Sequence, residues 1–133
     1  MGAQELIGEI LKNTKTIAVV GLSPKAHRTS HSVSEYMQKQ GYKIIPVYPR
    51  EETILGEKVY RSVSEIPGKI DTVLVFRRSE DAESAVDDAI LKKPAYIWMQ
   101  KGIVNEKAAK KAEKEGIKVV MDRCMYVEHG KFR

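Results

Sequence analysis

The chain is organised around Ile17-Ala18-Val19-Val20-Gly21-Leu22-Ser23-Pro24-Lys25-Ala26-His27-Arg28-Thr29-Ser30. A short apolar run with β-branched side chains ends at Gly21, and a loop of hydroxyl and basic residues separates it from a helical pattern. In this strand–turn–helix order, backbone N–H groups at the start of the helix can bind a phosphate group. The stretch therefore predicts an anion-binding loop after the first strand of an α/β domain.

The length and composition of the chain indicate one compact domain covering residues 1–133. A hydrophobic content of 42% is enough to form a core. No apolar run approaches the ~20 residues that cross a bilayer, and the N-terminus lacks the pattern of a signal peptide. The single cysteine, Cys124, excludes an internal disulfide and is typical of a reducing compartment. We therefore expect a cytoplasmic protein with no membrane partner.

The formal net charge of +5 favours an anionic partner without identifying it. Four lysines share one stripe of the helix that begins after Asn105, but glutamates interrupt this helix. No nucleic-acid recognition motif or aromatic platform accompanies the basic residues. We interpret the stripe as a solvated face and do not expect nucleic acid as a partner, although a basic nucleic-acid-binding domain is kept as a third alternative.

Strand and helix patterns alternate along the chain. The strands are predicted at Lys15–Val20, Lys43–Val47, Thr72–Phe76, Ala95–Met99 and Ile117–Met121. Their continuous apolar runs indicate parallel strands that are buried on both faces. A leading helix is predicted over Gln4–Lys12, and residues 122–133 are expected to form a short tail. The fold class is therefore α/β, with a doubly wound parallel five-stranded sheet, Rossmann-like, in the strand order 3-2-1-4-5.

Ligands of such sheets bind outside the carboxyl ends of the strands, at the point where the strand order reverses. For the predicted order, this point lies between the first and fourth strands. Polar or basic residues follow four of the strands, in the loops Gly21–Ser30, Tyr48–Glu52, Arg77–Ser79 and Gln100–Gly102. These four loops are the candidate binding site.

The loop chemistry narrows the choice of ligand. Ser23 stands where a dinucleotide-binding loop has its second glycine, and no third glycine precedes the helix. The second strand ends without the acidic residue that holds the ribose of NAD, and Arg50 follows it instead. A guanidinium group pairs with phosphate in a forked geometry. The residues thus favour a ligand with an additional ribose phosphate, and both NADP and coenzyme A meet this requirement.

Five short motifs occur together and in order. They are Gly21-Leu22-Ser23-Pro24 with Arg28 and Ser30, Ile54-Leu55-Gly56-Glu57-Lys58-Val59-Tyr60, Val75-Phe76-Arg77-Arg78, Gln100-Lys101-Gly102, and Val120-Met121-Asp122-Arg123-Cys124. With them, the chain resembles the small stand-alone CoA-binding domain proteins, a family similar to the CoA-binding half of the succinyl-CoA synthetase alpha subunit. The resemblance extends from about Thr16 to His129. Thr29 and Tyr48 depart from it, since the family often has proline and asparagine there.

The resemblance implies a Rossmann-like domain that binds coenzyme A or an acyl-CoA. Residues of the first loop would hold the phosphates: Gly21, Ser23, Lys25, Arg28, Thr29 and Ser30. The adenosine end would be flanked by Val47, Pro49 and Arg50. The groove would be lined by Phe76, Arg77 and Arg78, and the pantetheine arm would lie toward Gln100 and Gly102.

The sequence shows no catalytic centre and no metal-ligand spacing among His27, His31, His129 and Cys124. The phosphorylated histidine of the synthetase lies on a further domain, so its activity is not expected here. Cys124 is either a small buried residue or lies close enough to the CoA thiol for disulfide exchange. We expect a carrier, sensor or regulatory module, with an NADP-dependent oxidoreductase as the alternative.

The apolar residues Met125, Tyr126, Val127 and Phe132 could cover a sheet edge or contact a partner. They leave open a homo-oligomer or a separate enzyme as the protein partner.

Overall fold

The computed structural model describes residues 2–133, which form a parallel five-stranded sheet between two layers of helices. The sheet strands are β1 (Thr16–Val20), β2 (Lys43–Val47), β5 (Thr72–Val75), β6 (Tyr96–Met99) and β7 (Lys118–Val120), and β3 (Thr53–Ile54) with β4 (Glu57–Lys58) forms a small antiparallel hairpin. The helices are α1 (Ala3–Asn13), α2 (Thr29–Lys39), α3 (Ala82–Ile90), α4 (Glu106–Lys114) and α5 (Met125–Phe132). The predicted α/β class with a Rossmann-like parallel sheet is confirmed.

Two apolar cores lie on opposite faces of the sheet. Successive side chains of a strand point to opposite faces, so Ile17 and Val19 of β1 pack in one core, while Ala18 and Val20 pack in the other. Helices α1, α2 and α5 cover the first face, and α3 and α4 cover the second. Both faces of the strands are therefore closed, so a ligand can reach the sheet only at its edges and at the ends of its strands.

The predicted strand order is wrong in one step. The sheet order is β2-β1-β5-β6-β7, so the third sheet strand lies next to the first instead of outside the second. The outer edge of β2 is occupied by Tyr60, whose backbone N–H donates to Pro46 O (3.0 Å) and whose carbonyl accepts from Tyr48 N (3.0 Å). This pairing blocks the predicted position of β5 beside β2.

Polar contacts hold β5 beside β1 instead. The hydroxyl groups of Thr14 and Thr72 are 2.7 Å apart in a buried hydrogen bond. The carboxylate of Asp71 accepts from the backbone N–H groups of Lys15 (2.9 Å) and Thr16 (3.1 Å). The strand order consequently reverses between β1 and β5, and not between the first and fourth strands as expected.

The predicted tail is also wrong, because its last part is helix α5. Met125 is fully buried, and the ring of Tyr126 lies 4.2 Å, centroid to centroid, from that of Tyr36 in α2. The Tyr36 hydroxyl is 2.9 Å from His129 Nδ1. The segment thus covers the sheet face between α1 and α2. None of the helices described over residues 2–133 has the length and apolar character needed to cross a membrane.

Candidate ligand-binding cleft

A two-lobed cleft lies at the carboxyl ends of the strands, at the β1–β5 pair where the strand order reverses. The first lobe has a volume of about 550 Å³ and is lined by Gly21, Ser23, Lys25, Arg28, Thr29, Ser30, Tyr48, Pro49, Phe76 and Arg77. The second has a volume of about 560 Å³ and is lined by Thr29, Phe76, Arg77, Arg78, Gln100, Lys101, Ile103 and Cys124. Three of these residues line both lobes, so the lobes form one continuous cleft.

The floor of the first lobe requires glycine at position 21. Gly21 has a φ of +88°, a conformation that side-chain-bearing residues rarely adopt. A Cβ atom at this position would lie 2.5 Å from the carbonyl oxygen of Phe76, which follows β5. The N–H of Gly21 donates to Val47 O (2.9 Å), and the N–H of Phe76 donates to Val20 O (2.8 Å). The loops after β1 and β5 are therefore in direct backbone contact.

The next turn of the loop is held by the first turn of α2. The backbone N–H of Ser23 donates to Ser30 Oγ (3.0 Å), and its carbonyl lies 2.9 Å from His31 Nδ1. A carbonyl oxygen only accepts, so Nδ1 carries the proton in this contact. The Ser23 hydroxyl accepts from the N–H of Lys25 (3.1 Å). Both polar groups of the Ser23 peptide unit are thus bound, which fixes the path of the loop over the lobe.

The start of α2 supplies an anion site within this lobe. Arg28 is the N-cap residue of α2, and no side chain caps the helix, so the backbone N–H groups of Thr29 and Ser30 have no hydrogen-bond partner among residues 2–133. Lys25, Arg28 and Arg77 line the lobe, and no carboxylate is among its described lining residues. Within residues 2–133, none of these three cations forms an ion pair. The helix dipole and three side chains therefore favour negative charge here.

The loop after β2 contributes less to the cleft than the sequence predicted. Pro49 lines the first lobe, together with Tyr48. Val47 is buried in the sheet, where its carbonyl accepts from Gly21, and it supports the floor without lining the lobe. Arg50 is exposed and lies outside the lining residues.

A single arginine outside the cleft holds this loop. Arg61 Nη1 donates to the carbonyl oxygens of Tyr48 (3.1 Å), Arg50 (3.1 Å) and Glu51 (2.9 Å). These bonds fix Glu51 at a φ of +72°. The turn carries the Arg50 side chain past the edge of the cleft.

The second lobe is bounded by the loop after β6 and the start of α5. Gln100 is only 3% exposed, and its Oε1 accepts from the backbone N–H of Met125 (3.2 Å). Gly102 does not itself line the lobe, but its N–H donates to Asp122 Oδ1 (2.7 Å). This bond, with a weaker contribution from the Lys101 ammonium group, holds the pKa of the Asp122 carboxyl below its ordinary value. The loop is therefore anchored from the segment that leads into α5.

The sequence predicted that Phe76, Arg77 and Arg78 line a groove. Phe76 and Arg77 line both lobes, and Arg78 lines the second lobe alone. Arg77 is exposed and reaches both lobes, whereas the guanidinium group of Arg78 is paired with Asp81 at 2.9 Å. Arg77 is therefore the cation of this segment that is available to a ligand.

Sequence reasoning missed several contributors. Tyr48 and Lys101 lie in predicted loops but were not named as site residues, and Ile103 follows one of these loops directly. His31 was not predicted to contribute to the site, whereas it holds the carbonyl of Ser23. Arg61 gave no signal, since its three partners become neighbours only when the chain folds back at the edge of β2. Over residues 2–133, no group of three His, Cys, Asp or Glu side chains is arranged as a metal site.

Comparison with known proteins relates most of the chain to one family. Residues 15–130 match the CoA binding domain family. The chain is 46% identical over 123 residues to the uncharacterized protein YneT of Bacillus subtilis, covering 92% of this chain and 91% of that protein. The structure of a hypothetical protein from Pyrococcus horikoshii OT3 superposes with a TM-score of 0.92 at 40% identity, over 97% of this chain and 91% of that chain.

Part of the chain is also similar to a much larger enzyme subunit. The alpha subunit of ADP-forming acetate–CoA ligase II of Pyrococcus furiosus is 39% identical over 64 residues, which are 47% of this chain and 14% of the subunit. The chain thus spans a small part of such ligases and almost the full length of its small relatives.

Proposed function

The chain belongs to the CoA binding domain family, and on that premise we propose that it binds coenzyme A or an acyl-CoA in the two-lobed cleft. The observation that carries the proposal is the division of charge along the cleft. The first lobe combines the start of α2 with Lys25, Arg28 and Arg77, cations that are unpaired within residues 2–133. In the second lobe, Ile103 and the buried amide of Gln100 are the added lining, and its own cations Arg78 and Lys101 are paired with Asp81 (2.9 Å) and Asp122 (3.7 Å). Coenzyme A has the same division, with phosphates at one end and the pantetheine arm at the other.

In this proposal, the first lobe holds the diphosphate. Backbone N–H groups and the positive end of a helix dipole attract phosphate, and charge-assisted hydrogen bonds from lysine and arginine strengthen the contact. Tyr48 and Pro49 would border the adenosine, and the pantetheine arm would extend past Phe76 toward Gln100. Arg50 can reach a ribose phosphate only if its exposed side chain turns back over Pro49.

We further propose that the protein acts as a cytoplasmic CoA carrier, sensor or regulatory module. Its relatives include one subunit of a larger CoA ligase, in which the similar segment is a small part of the chain. A binding domain of this kind would report on CoA or deliver it to another protein, and it would require neither nucleic acid nor a membrane.

Calorimetry with coenzyme A, NADP and a short RNA tests the proposal directly. We expect CoA to bind and NADP and RNA to bind at least ~tenfold more weakly, which corresponds to about 1.4 kcal/mol. NADP binding in the micromolar range without CoA binding would overturn the proposal in favour of a nicotinamide-dependent enzyme. RNA binding with a steep salt dependence would favour the basic nucleic-acid-binding domain.

A matched pair of lysine variants ties binding to the first lobe. Lys25→Met removes a cation of the lobe, whereas Lys114→Met removes an exposed cation at the end of α4, on the opposite edge of the sheet. A hydrogen bond to a charged group contributes about 1.5–3 kcal/mol, so we expect Lys25→Met to weaken CoA binding by roughly 10- to 100-fold. Equal losses of CoA affinity in the two variants would show that CoA binding depends on the net charge of the protein and not on the first lobe.

A further inference from the structure

Cys124 is fixed at the border of the second lobe. It is a free, half-buried thiol that lines this lobe together with Gln100 and Ile103. Its carbonyl accepts from the N–H of Glu128 (2.9 Å) in the first turn of α5. The carbonyl of the preceding Arg123 accepts from Trp98 Nε1 (2.8 Å). The backbone on both sides of the thiol is therefore anchored to the fold.

The amide group of Gln100 provides a second, independent feature of the same lobe. Its Oε1 is bound to Met125 N, which leaves Nε2 as the remaining donor. No residue in the described part of the chain accepts a hydrogen bond from Nε2, although Gln100 is 97% buried, being only 3% exposed. Nε2 is not completely enclosed by protein atoms, so it opens onto the lobe that Gln100 lines. This donor therefore faces the lobe without a partner among the described residues, and it can bind an acceptor on a ligand.

We propose that Cys124 is a site of reversible mixed-disulfide formation with the thiol end of coenzyme A. The inference rests on the proposed function, because the first lobe must hold the nucleotide end of the ligand. The pantetheine arm carries amide carbonyls that Gln100 Nε2 can bind, and it ends in a thiol. The arrangement places a protein sulfur and a ligand sulfur at the same end of one cleft.

The co-reactant is a disulfide of coenzyme A, in which two CoA molecules are joined through sulfur. The Cys124 sulfur, after losing its proton to solvent, attacks the nearer sulfur of the bound disulfide. A new bond forms between Cys124 and this CoA, the original sulfur–sulfur bond breaks, and the second CoA leaves as a thiolate that takes up a proton. Cys124 is oxidised and the departing CoA is reduced, so no other oxidant is needed.

Selectivity for CoA follows from anchoring. Glutathione disulfide offers the same reactive bond but has no nucleotide for the first lobe, so it meets Cys124 only by free collision. A disulfide held by its nucleotide reacts at the effective concentration set by the cleft, which is about millimolar for short flexible tethers. Through this reaction the protein would retain CoA when the surrounding disulfide pool rises, and a thiol reductant would release it.

The test compares the rates of adduct formation by intact-protein mass spectrometry. The full chain is incubated with CoA disulfide or with glutathione disulfide, each at the same micromolar concentration. We expect CoA disulfide to react at least ~tenfold faster, given tethering of this kind. Adenosine 3′,5′-bisphosphate should slow this reaction and leave the glutathione reaction unchanged. Lys25→Met should slow the CoA reaction, and Lys114→Met should not.

Equal rates with the two disulfides, or no adduct at Cys124, would overturn the inference. Calorimetry with reduced CoA separates this outcome from a failure of the proposed function. If reduced CoA binds and the adduct is not selective, only the inference at Cys124 fails. If reduced CoA does not bind the protein at all, the proposed function fails, and the inference fails with it.

Discussion

Gly21→Ala is expected to destabilise the protein far more than the loss of an ordinary loop glycine. The added Cβ would lie 2.5 Å from Phe76 O, whereas ordinary contact begins at 3.4 Å, so the two loops must separate by roughly 0.9 Å. That movement stretches the hydrogen bond Phe76 N–Val20 O (2.8 Å), which joins the ends of the same two strands. One weakened bond costs about 0.5–1.5 kcal/mol, and alanine at positive φ costs about 1–2 kcal/mol.

The expected loss in the free energy of unfolding is therefore about 1.5–3.5 kcal/mol for Gly21→Ala. Gly68→Ala is the matched control, because Gly68 has a similar φ of +83° and open space around its Cβ position. This control bears only the conformational cost, partly offset by the lower entropy of the unfolded chain, so about 1 kcal/mol is expected.

Urea unfolding followed by the fluorescence of Trp98, the only tryptophan and a fully buried one, measures both variants. Unfolding free energies of the two variants within ~0.5 kcal/mol of each other, the usual scale of a neutral surface change, would refute the close-contact argument. Gly21→Ala should also weaken CoA binding, since the shifted loop is the floor of the first lobe.

Three further predictions concern side chains that lie behind the cleft or on α5. His31→Ala should weaken CoA binding about 3- to 10-fold in calorimetry, because it releases the Ser23 carbonyl. His31→Asn should retain most of the affinity, because its amide N–H can replace Nδ1 as the donor. An equal loss of affinity in both variants would contradict a donor role for His31. Arg61→Met should speed amide hydrogen exchange at Glu51 and Glu52 relative to wild type, and unchanged exchange would show that Arg61 does not hold the loop. Burial lowers the pKa of the His129 imidazole, so the folded state favours the neutral ring. The neutral His129 ring contributes fully to the free energy of unfolding above pH ~6.5, the pKa of an unfolded histidine. This contribution is lost as the pH falls through the lower pKa of the folded state. His129→Gln should therefore flatten thermal stability between pH 7 and 5, and an unaltered slope would exclude His129 as its source.

The local parts of the fold could be predicted because their causes are local. The continuous apolar runs before Gly21 and around Leu74 identify strands buried on both faces, and the structure has strands there. A helix was predicted to begin after Asn105, and the side chain of Asn105 caps α4 by accepting from Ala108 N at 2.9 Å. The site loops could be predicted for the same reason, since each directly follows such a strand.

The strand order could not be predicted, because a right-handed crossover allows the third strand to lie beside either neighbour. The position of the third strand is decided by two sets of contacts. Tyr60 occupies the outer edge of β2. The Thr14–Thr72 and Lys15–Asp71 contacts, which join residues more than 50 positions apart, hold β5 beside β1. No local pattern contains that information. The observed reversal of the strand order lies between β1 and β5 and not between the first and fourth strands. Both positions include the end of β1, so the first loop borders the candidate site in either order.

Helix α5 and the position of Arg50 escaped prediction for a related reason. The helix is short and weakly amphipathic, and it is stabilised by packing of Met125 and His129 against α1 and α2. Arg50 follows a strand and matches the pattern of a phosphate-binding residue. The bonds from Arg61 turn the backbone there, and this turn depends on tertiary structure.

The first helix closes the chain upon itself, which has a consequence for how the protein folds. Glu9 of α1 accepts from the hydroxyl of Tyr96 (2.7 Å) and from the ammonium group of Lys118 (3.0 Å), 109 positions further along the chain. These partners adjoin one another only after β6 and β7 have paired. Contacts of such long sequence separation form late, because the loop-closure entropy must be overcome first. We therefore expect helix α1 to dock near the end of folding, after the β1–β5 pair beneath the cleft has assembled.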